Sequence, residues 1–155
     1  MYWQVKNKLE ENGYIHYEIS NFAKPNFESK HNLNCWNQKE YLGFGLAAHS
    51  YIDKTRMSNT ENLEEYINTN GKDKKVHEKQ DVLAEKKEFM LLGLRKIEGI
   101  KISDFKNKFG DNPIYVFRNE LDKLVKEKLI EVEENNIKLT DKGLDLANLV
   151  WEEFV

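Results

Sequence analysis

The sequence predicts a mixed α+β fold in two parts, and three observations carry that reading. An opening helix runs through a glycine turn into a strand, the second half of a βαβ unit. Beyond about residue 82 the pattern changes, with apolar residues recurring at i+3 and i+4 through three helices before a short alternating hairpin and a last helix. The length of 155 residues, 39% hydrophobic and 33% charged, suits one modest domain or two small ones packed together. It is too short for a complete eight-stranded (β/α) barrel.

Residues 2–11 carry Tyr2, Val5 and Leu9 at helical spacing and stop at Asn12-Gly13, a pair suited to a left-handed C-cap. Tyr14 to Ile19 then alternates, with Ile15, Tyr17 and Ile19 on one face and Tyr14, His16 and Glu18 on the other, the pattern of a strand. Its partner strand in the βαβ unit would precede Met1. Ser20 to about Gln38 is rich in Asn, Ser and Lys, shows neither period, and reads as a long loop whose Phe22, Phe27, His31, Cys35 and Trp36 line something. The small, apolar run Tyr41–Ile52 follows, with Gly43 and Gly45 allowing close backbone approach.

Ser58-Asn59-Thr60-Glu61 has the form of a capping box opening a short helix through Leu63, Tyr66 and Ile67. Lys72 to Gln80 is charged with no apolar face, so the expected organisation is a first part over 1–70, a linker over 71–82 and a second domain over 83–155. In that domain one helix carries Leu83, Phe89, Met90, Leu91, Leu94 and Ile97. A short one runs from Ile102 to Phe109 before Gly110, and a third bears Ile114, Phe117, Leu121 and Leu124. Ile130–Val132 and Ile137–Leu139 form a hairpin around Glu134-Asn135-Asn136, and Thr140 caps a final helix. Helix, helix, helix, two-stranded wing and helix is a winged-helix-like order.

Composition narrows the chemistry. The single cysteine, Cys35, excludes an internal disulfide, a multi-thiolate zinc site and a self-contained iron–sulfur cluster. A mean hydropathy of −0.77 and no apolar run near 20 residues argue against a membrane span. The N-terminal residues lack the form of a signal peptide, and a cytoplasmic protein is expected. Net charge is −3, and from Lys101 to Val155 there are 9 basic against 12 acidic residues. A winged helix that neutralised phosphates would need the opposite balance, so a structural or protein-docking role is expected before DNA binding. His31, Cys35, Trp36 and His49 are the cluster with ligand chemistry: imidazole and thiolate are axial ligands of haem iron, and indole stacks on a porphyrin face. The same residues also suit ordinary structural roles.

A set of motifs in order then points to a family. Gly13-Tyr14-x-x-Tyr17-Glu18-Ile19-Ser20-Asn21-Phe22-Ala23-Lys24-Pro25, Glu28-Ser29-Lys30-His31-Asn32-Leu33, Trp36, Tyr41-Leu42-Gly43-Phe44-Gly45 and Ala48-His49-Ser50-Tyr51 together resemble the oxygen-independent coproporphyrinogen III oxidase-like radical SAM proteins. The likeness is greatest to their haem chaperone branch, marked by His-Asn-x-x-Tyr-Trp. It continues through Glu88-x-x-x-x-Gly93-Leu94-Arg95 and Gly99-Ile100 to Leu139-Thr140-x-x-Gly143.

The resemblance implies the C-terminal end of a partial (β/α) radical SAM barrel followed by the winged-helix-like helical domain. It implies a [4Fe–4S] cluster and S-adenosylmethionine in the full-length protein, bound through a three-cysteine motif that this chain lacks, so that the chain alone is a catalytically incomplete C-terminal fragment. It implies tetrapyrrole work: decarboxylation of coproporphyrinogen III to protoporphyrinogen IX, or haem binding and delivery to an acceptor protein. The other implied partner is the protein's own N-terminal radical SAM domain, with no nucleic acid. Carried over residue by residue, His31, Asn32 and Trp36 are the haem-associated motif, with His31 a haem iron ligand. His49 borders the S-adenosylmethionine and substrate cavity. Cys35 stands where the chaperone branch has Tyr, which makes a second, thiolate ligand conceivable, and Leu46-Ala47 replaces the family's Pro-Gly.

Overall fold

Most elements form where the periodicities place them in the computed structural model, which describes residues 1–155. In chain order they are α1 (Tyr2–Glu11), β1 (Ile15–Glu18), β2 (Asn21–Ala23), α2 (Lys30–Trp36), β3 (His49–Ile52), β4 (Thr55–Asn59), α3 (Leu63–Asn68) and β5 (Lys74–Lys79). Then follow α4 (Val82–Gly93), β6 (Ile100–Lys101), α5 (Ile102–Phe109), α6 (Pro113–Val116), α7 (Arg118–Lys126), β7 (Ile130–Val132), β8 (Asn136–Leu139), α8 (Asp141–Asp145) and α9 (Ala147–Glu152). Two units emerge, one of residues 1–38 with 87–155 and one of residues 39–86.

In the first unit, α1 ends as expected, Gly13 taking φ +73 beyond it. The turn leads into β1, which pairs antiparallel with β2. The face of β1 that is buried is the polar one: His16 and Glu18 are inside and Ile15 is exposed. His16 stacks on Phe22 with centroids 4.4 Å apart and meets the Tyr2 hydroxyl at 3.2 Å, so a ring and a partner from α1 make burial of this imidazole tolerable. The long loop expected over 20–38 is corrected: it contains β2 and the seven-residue α2. These were hidden because a three-residue strand and a two-turn helix are too short to show a period.

The core of this unit is built from α4, α5, α7, α9 and the sheet β6–β8–β7. Phe105, Leu94, Ile137 and Val150 are fully buried. Phe89, Phe105, Phe117 and Phe154 meet through successive edge-to-face contacts at 5.4–6.2 Å, the preferred geometry for ring quadrupoles. Gly99, at φ +75, lies so close to β8 that a Cβ there would stand 2.2 Å from the Ile137 carbonyl oxygen. Thr140 accepts from the Gly143 N–H at 3.0 Å and starts α8 as predicted. The expected single last helix is broken at Leu146 into α8 and α9.

The second unit is a three-stranded antiparallel sheet, β3–β4–β5, with α3. Two expectations are corrected here. The stretch 71–82 is not a linker: Lys74–Lys79 pairs with β4 as an edge strand, and Val76 is 61% exposed, so its backbone bonds hold it without an apolar face. Likewise the helix cap is Asn62, whose side chain accepts from the Glu65 N–H at 3.1 Å, while Ser58 and Asn59 belong to β4. Asn62 competes successfully because Asn is as good an N-cap as Ser.

Candidate functional site

Helix α2 carries four of the five residues singled out by sequence. Ser29 starts it, accepting from the Asn32 N–H at 3.3 Å, and this cap stabilises a helix too short to persist alone. His31 and Cys35, one turn apart, share a face, and the Cys35 Sγ lies 3.9 Å from the His31 Nε2. His31 is exposed and Cys35 half-buried. Asn32 is half-buried in the first turn. Trp36 turns inward: its ring lies under the Arg95 guanidinium at 4.4 Å, and its Nε1 is buried without a hydrogen-bond partner.

Immediately after Trp36 the chain is tied down. Lys96 donates to the Asn37 side chain at 2.7 Å, Gln38 donates to Glu88 at 2.8 Å, and Lys108 donates to Gln38 at 2.7 Å. Gln38 is itself buried, with φ +52. On the same unit an open groove of about 600 Å³ runs between β1, α2 and β8, lined by Ile15, Tyr17, Leu33, Ile97 and Lys138 among others, a volume in the usual range of small-molecule sites. His16 borders it, and burial pushes its imidazole below the ordinary histidine range, so it is neutral near pH 7.

His49, the fifth residue, lies at the start of β3 in the second unit. Its ring stacks on His77 of β5 at 5.5 Å and 22°, and the His77 Nε2 is 2.7 Å from the Ser58 hydroxyl. His77 and Ser58 border a polar cleft of about 520 Å³ with Asn59, Glu61 and Lys74. The glycine loop before β3 is held from within this unit. Asn59 donates to the Gly45 carbonyl at 2.5 Å, Tyr66 accepts from the Gly45 N–H at 3.0 Å, and a Cβ on Gly43 would stand 2.1 Å from the His49 carbonyl oxygen. Close packing against His49 therefore accounts for Gly43.

A [4Fe–4S] cluster does not fit the residues present. Cys35 is the one thiol, and no group of three His, Cys, Asp or Glu side chains converges anywhere in the chain. No helix is long and apolar enough to cross a membrane. Sequence reasoning missed the residues that hold the end of α2, namely Glu88, Arg95, Lys96 and Lys108. Glu88 and Arg95 stood in a quoted motif, yet nothing in their spacing reveals the partner across the fold. His77 was hidden in a stretch read as linker.

Comparison with known proteins gives a consistent picture. Residues 84–146 match the HemN C-terminal domain family. The whole chain is 37% identical to the Heme chaperone HemW of Lactococcus lactis and 39% identical to that of Bacillus subtilis, spanning 41% and 42% of those proteins. It therefore covers about two-fifths of the length of these curated relatives. The fold is also that of part of a solved structure described as coproporphyrinogen III oxidase (HemN) from Escherichia coli, a radical SAM enzyme. The TM-score is 0.74 at 18% identity, covering 98% of this chain and 39% of that one.

Proposed function

We propose that this chain, which belongs to the oxygen-independent coproporphyrinogen III oxidase-like radical SAM family and carries its HemN C-terminal domain, is the haem-presenting part of a haem chaperone. The observation that carries this reading is the outward face of α2, where an imidazole and a thiol stand 3.9 Å apart beside solvent. Either group is an axial ligand for haem iron. Both cannot bind one iron from opposite sides, because the porphyrin would have to pass between successive turns of one helix, only about 5.4 Å apart. Of the two, His31 is taken as the ligand because the branch motif has histidine at this position and tyrosine where Cys35 stands, and Cys35 is its neighbour on the same face.

Asn32 supports this face through the first turn of the helix, and Trp36 anchors its far end rather than stacking on the porphyrin. His49, backed by His77, borders the S-adenosylmethionine and substrate side. The cluster and S-adenosylmethionine of the family supply radical chemistry when bound in the longer protein, and none of that chemistry is assigned to residues of this chain. Haem is cargo, passed to an acceptor protein. Chaperone is preferred over oxidase because His31-Asn32-x-x-Cys35-Trp36 keeps the branch motif except for cysteine in place of tyrosine, and the relatives at 37–39% identity bear the chaperone name.

Haemin titration followed at the Soret band tests the reading. The parent chain should saturate, Cys35→Ser should still saturate with a shifted band, and His31→Ala should lose saturable binding. Identical, weak and non-saturable spectra for all three would remove the haem role from α2.

A further inference from the structure

We infer that the HemN C-terminal domain serves as the clamp that positions α2, with Arg95 as its principal positioning residue. This inference rests on the haem-presenting reading of α2 and adds to it the means by which the ligand face is held. Arg95 follows α4, and its guanidinium lies 4.4 Å from the centroid of Trp36, the last residue of α2, and 4.7 Å from that of Trp151 on α9. One planar cation is thus stacked against two indoles from distant stretches of chain, in a setting buried enough that the Nε of Arg95 and the Nε1 of both tryptophans have no access to water. Indole is the best cation–π partner, and the attraction grows as water is excluded. The structure records no carboxylate paired with Arg95, which is half-buried, so the two ring faces and solvent at its terminal nitrogens together compensate its charge.

The adjoining contacts act in the same direction. Glu88, Lys96 and Lys108 all lie in the stretch matching the domain, and each bonds a side chain of Asn37 or Gln38, the two residues that close α2. At the N-terminal end of α2 the contacts are fewer, the Ser29 cap and a long bond from the Ser29 N–H to the Tyr17 hydroxyl at 3.4 Å. A two-turn helix held at one end by four side chains of the C-terminal domain takes its orientation from that domain. The direction in which His31 and Cys35 point is set by the same contacts.

The test compares the full chain as parent, Arg95→Met, Arg95→Lys, Trp151→Phe and His31→Ala, at a temperature where circular dichroism shows all of them folded. Two readouts are taken: haemin affinity with Soret position, and amide hydrogen exchange in residues 33–38. Methionine keeps the length and buried stem of Arg95 while removing the charged plane. Arg95→Met should weaken haemin binding about tenfold, or about 1.4 kcal/mol, broaden the Soret band, and speed exchange in 33–38 while the β7–β8 hairpin keeps its protection. Arg95→Lys should recover part of the affinity, and Trp151→Phe most of it, since each retains a charge or a ring face. Parent-like affinity and parent-like exchange in folded Arg95→Met would overturn the clamp, even with His31→Ala losing haemin. Faster exchange in Arg95→Met alongside undiminished haemin binding by His31→Ala would support the clamp and sink the haem reading instead.

Discussion

Gly43→Ala and Gly45→Ala, two substitutions two residues apart, separate a packing requirement from a conformational one. At Gly43 an added methyl would meet the His49 carbonyl oxygen at 2.1 Å and its carbon at 2.9 Å, with backbone φ outside the left-handed region. Relief demands a backbone shift of about 1 Å, since unstrained carbon–oxygen contacts need more than 3 Å. That shift is resisted by the reciprocal Tyr41–Tyr51 backbone pair at 2.9 Å and the Gly43 N–H to Ser50 Oγ bond at 3.0 Å. Overpacking of this kind costs about 1–3 kcal/mol, and loss of the Ser50 bond adds about 1 kcal/mol, giving about 2–4 kcal/mol together. At Gly45 the methyl would have nothing within 4 Å, and the cost is that of forcing alanine to φ +105, about 1–2 kcal/mol. Hydrogen exchange at the Tyr51 and Ile52 amides, which reads the second unit by itself, should show Gly43→Ala opening more readily than Gly45→Ala, by roughly tenfold for each 1.4 kcal/mol of difference. Equal protection in the two variants, or the reverse order, would refute the idea that the loop is glycine-bearing because it packs against His49.

Two further outcomes follow from the first unit. His16 has its pKa lowered by burial, so the unfolded chain binds its proton more readily than the folded one. The stability contributed by neutral His16 is therefore complete above about pH 6.5, the unfolded value, and is lost as the pH falls from there toward the lowered folded value. Denaturation between pH 7 and 5 should show a slope of at most about 1.4 kcal/mol per pH unit that flattens in His16→Gln. Phe105→Ala should cost about 3–5 kcal/mol, since the ring is fully buried among Phe89, Phe109 and Phe117, and thermal unfolding of the C-terminal helices measures it.

The long helices, the β7–β8 hairpin and the Thr140 cap were readable because each rests on a local cause, a sustained apolar period or a side chain three residues from the N–H it caps. What could not be read depends on contacts between distant residues. Strand β5 has no apolar face and exists through its backbone pairing to β4. The inward side of β1 is the polar one because Tyr2 and Phe22 provide His16 with partners, and strand alternation says nothing of which side will find them. In the candidate site, His31 and Cys35 were singled out for their ligand chemistry, and their four-residue spacing becomes a shared face once α2 is a helix. The inward turn of Trp36 was not visible, because its stacking partner, Arg95, is 59 positions away in the chain.

The central claim is that the His31 imidazole on α2 is the iron ligand. Low-temperature electron paramagnetic resonance of the ferric haem-loaded chain measures this directly, since the spectrum depends on the axial ligand. The parent should give an imidazole-ligated signal that disappears in His31→Ala and returns, at least partly, when free imidazole is added. A parent spectrum unchanged by His31→Ala would contradict the claim.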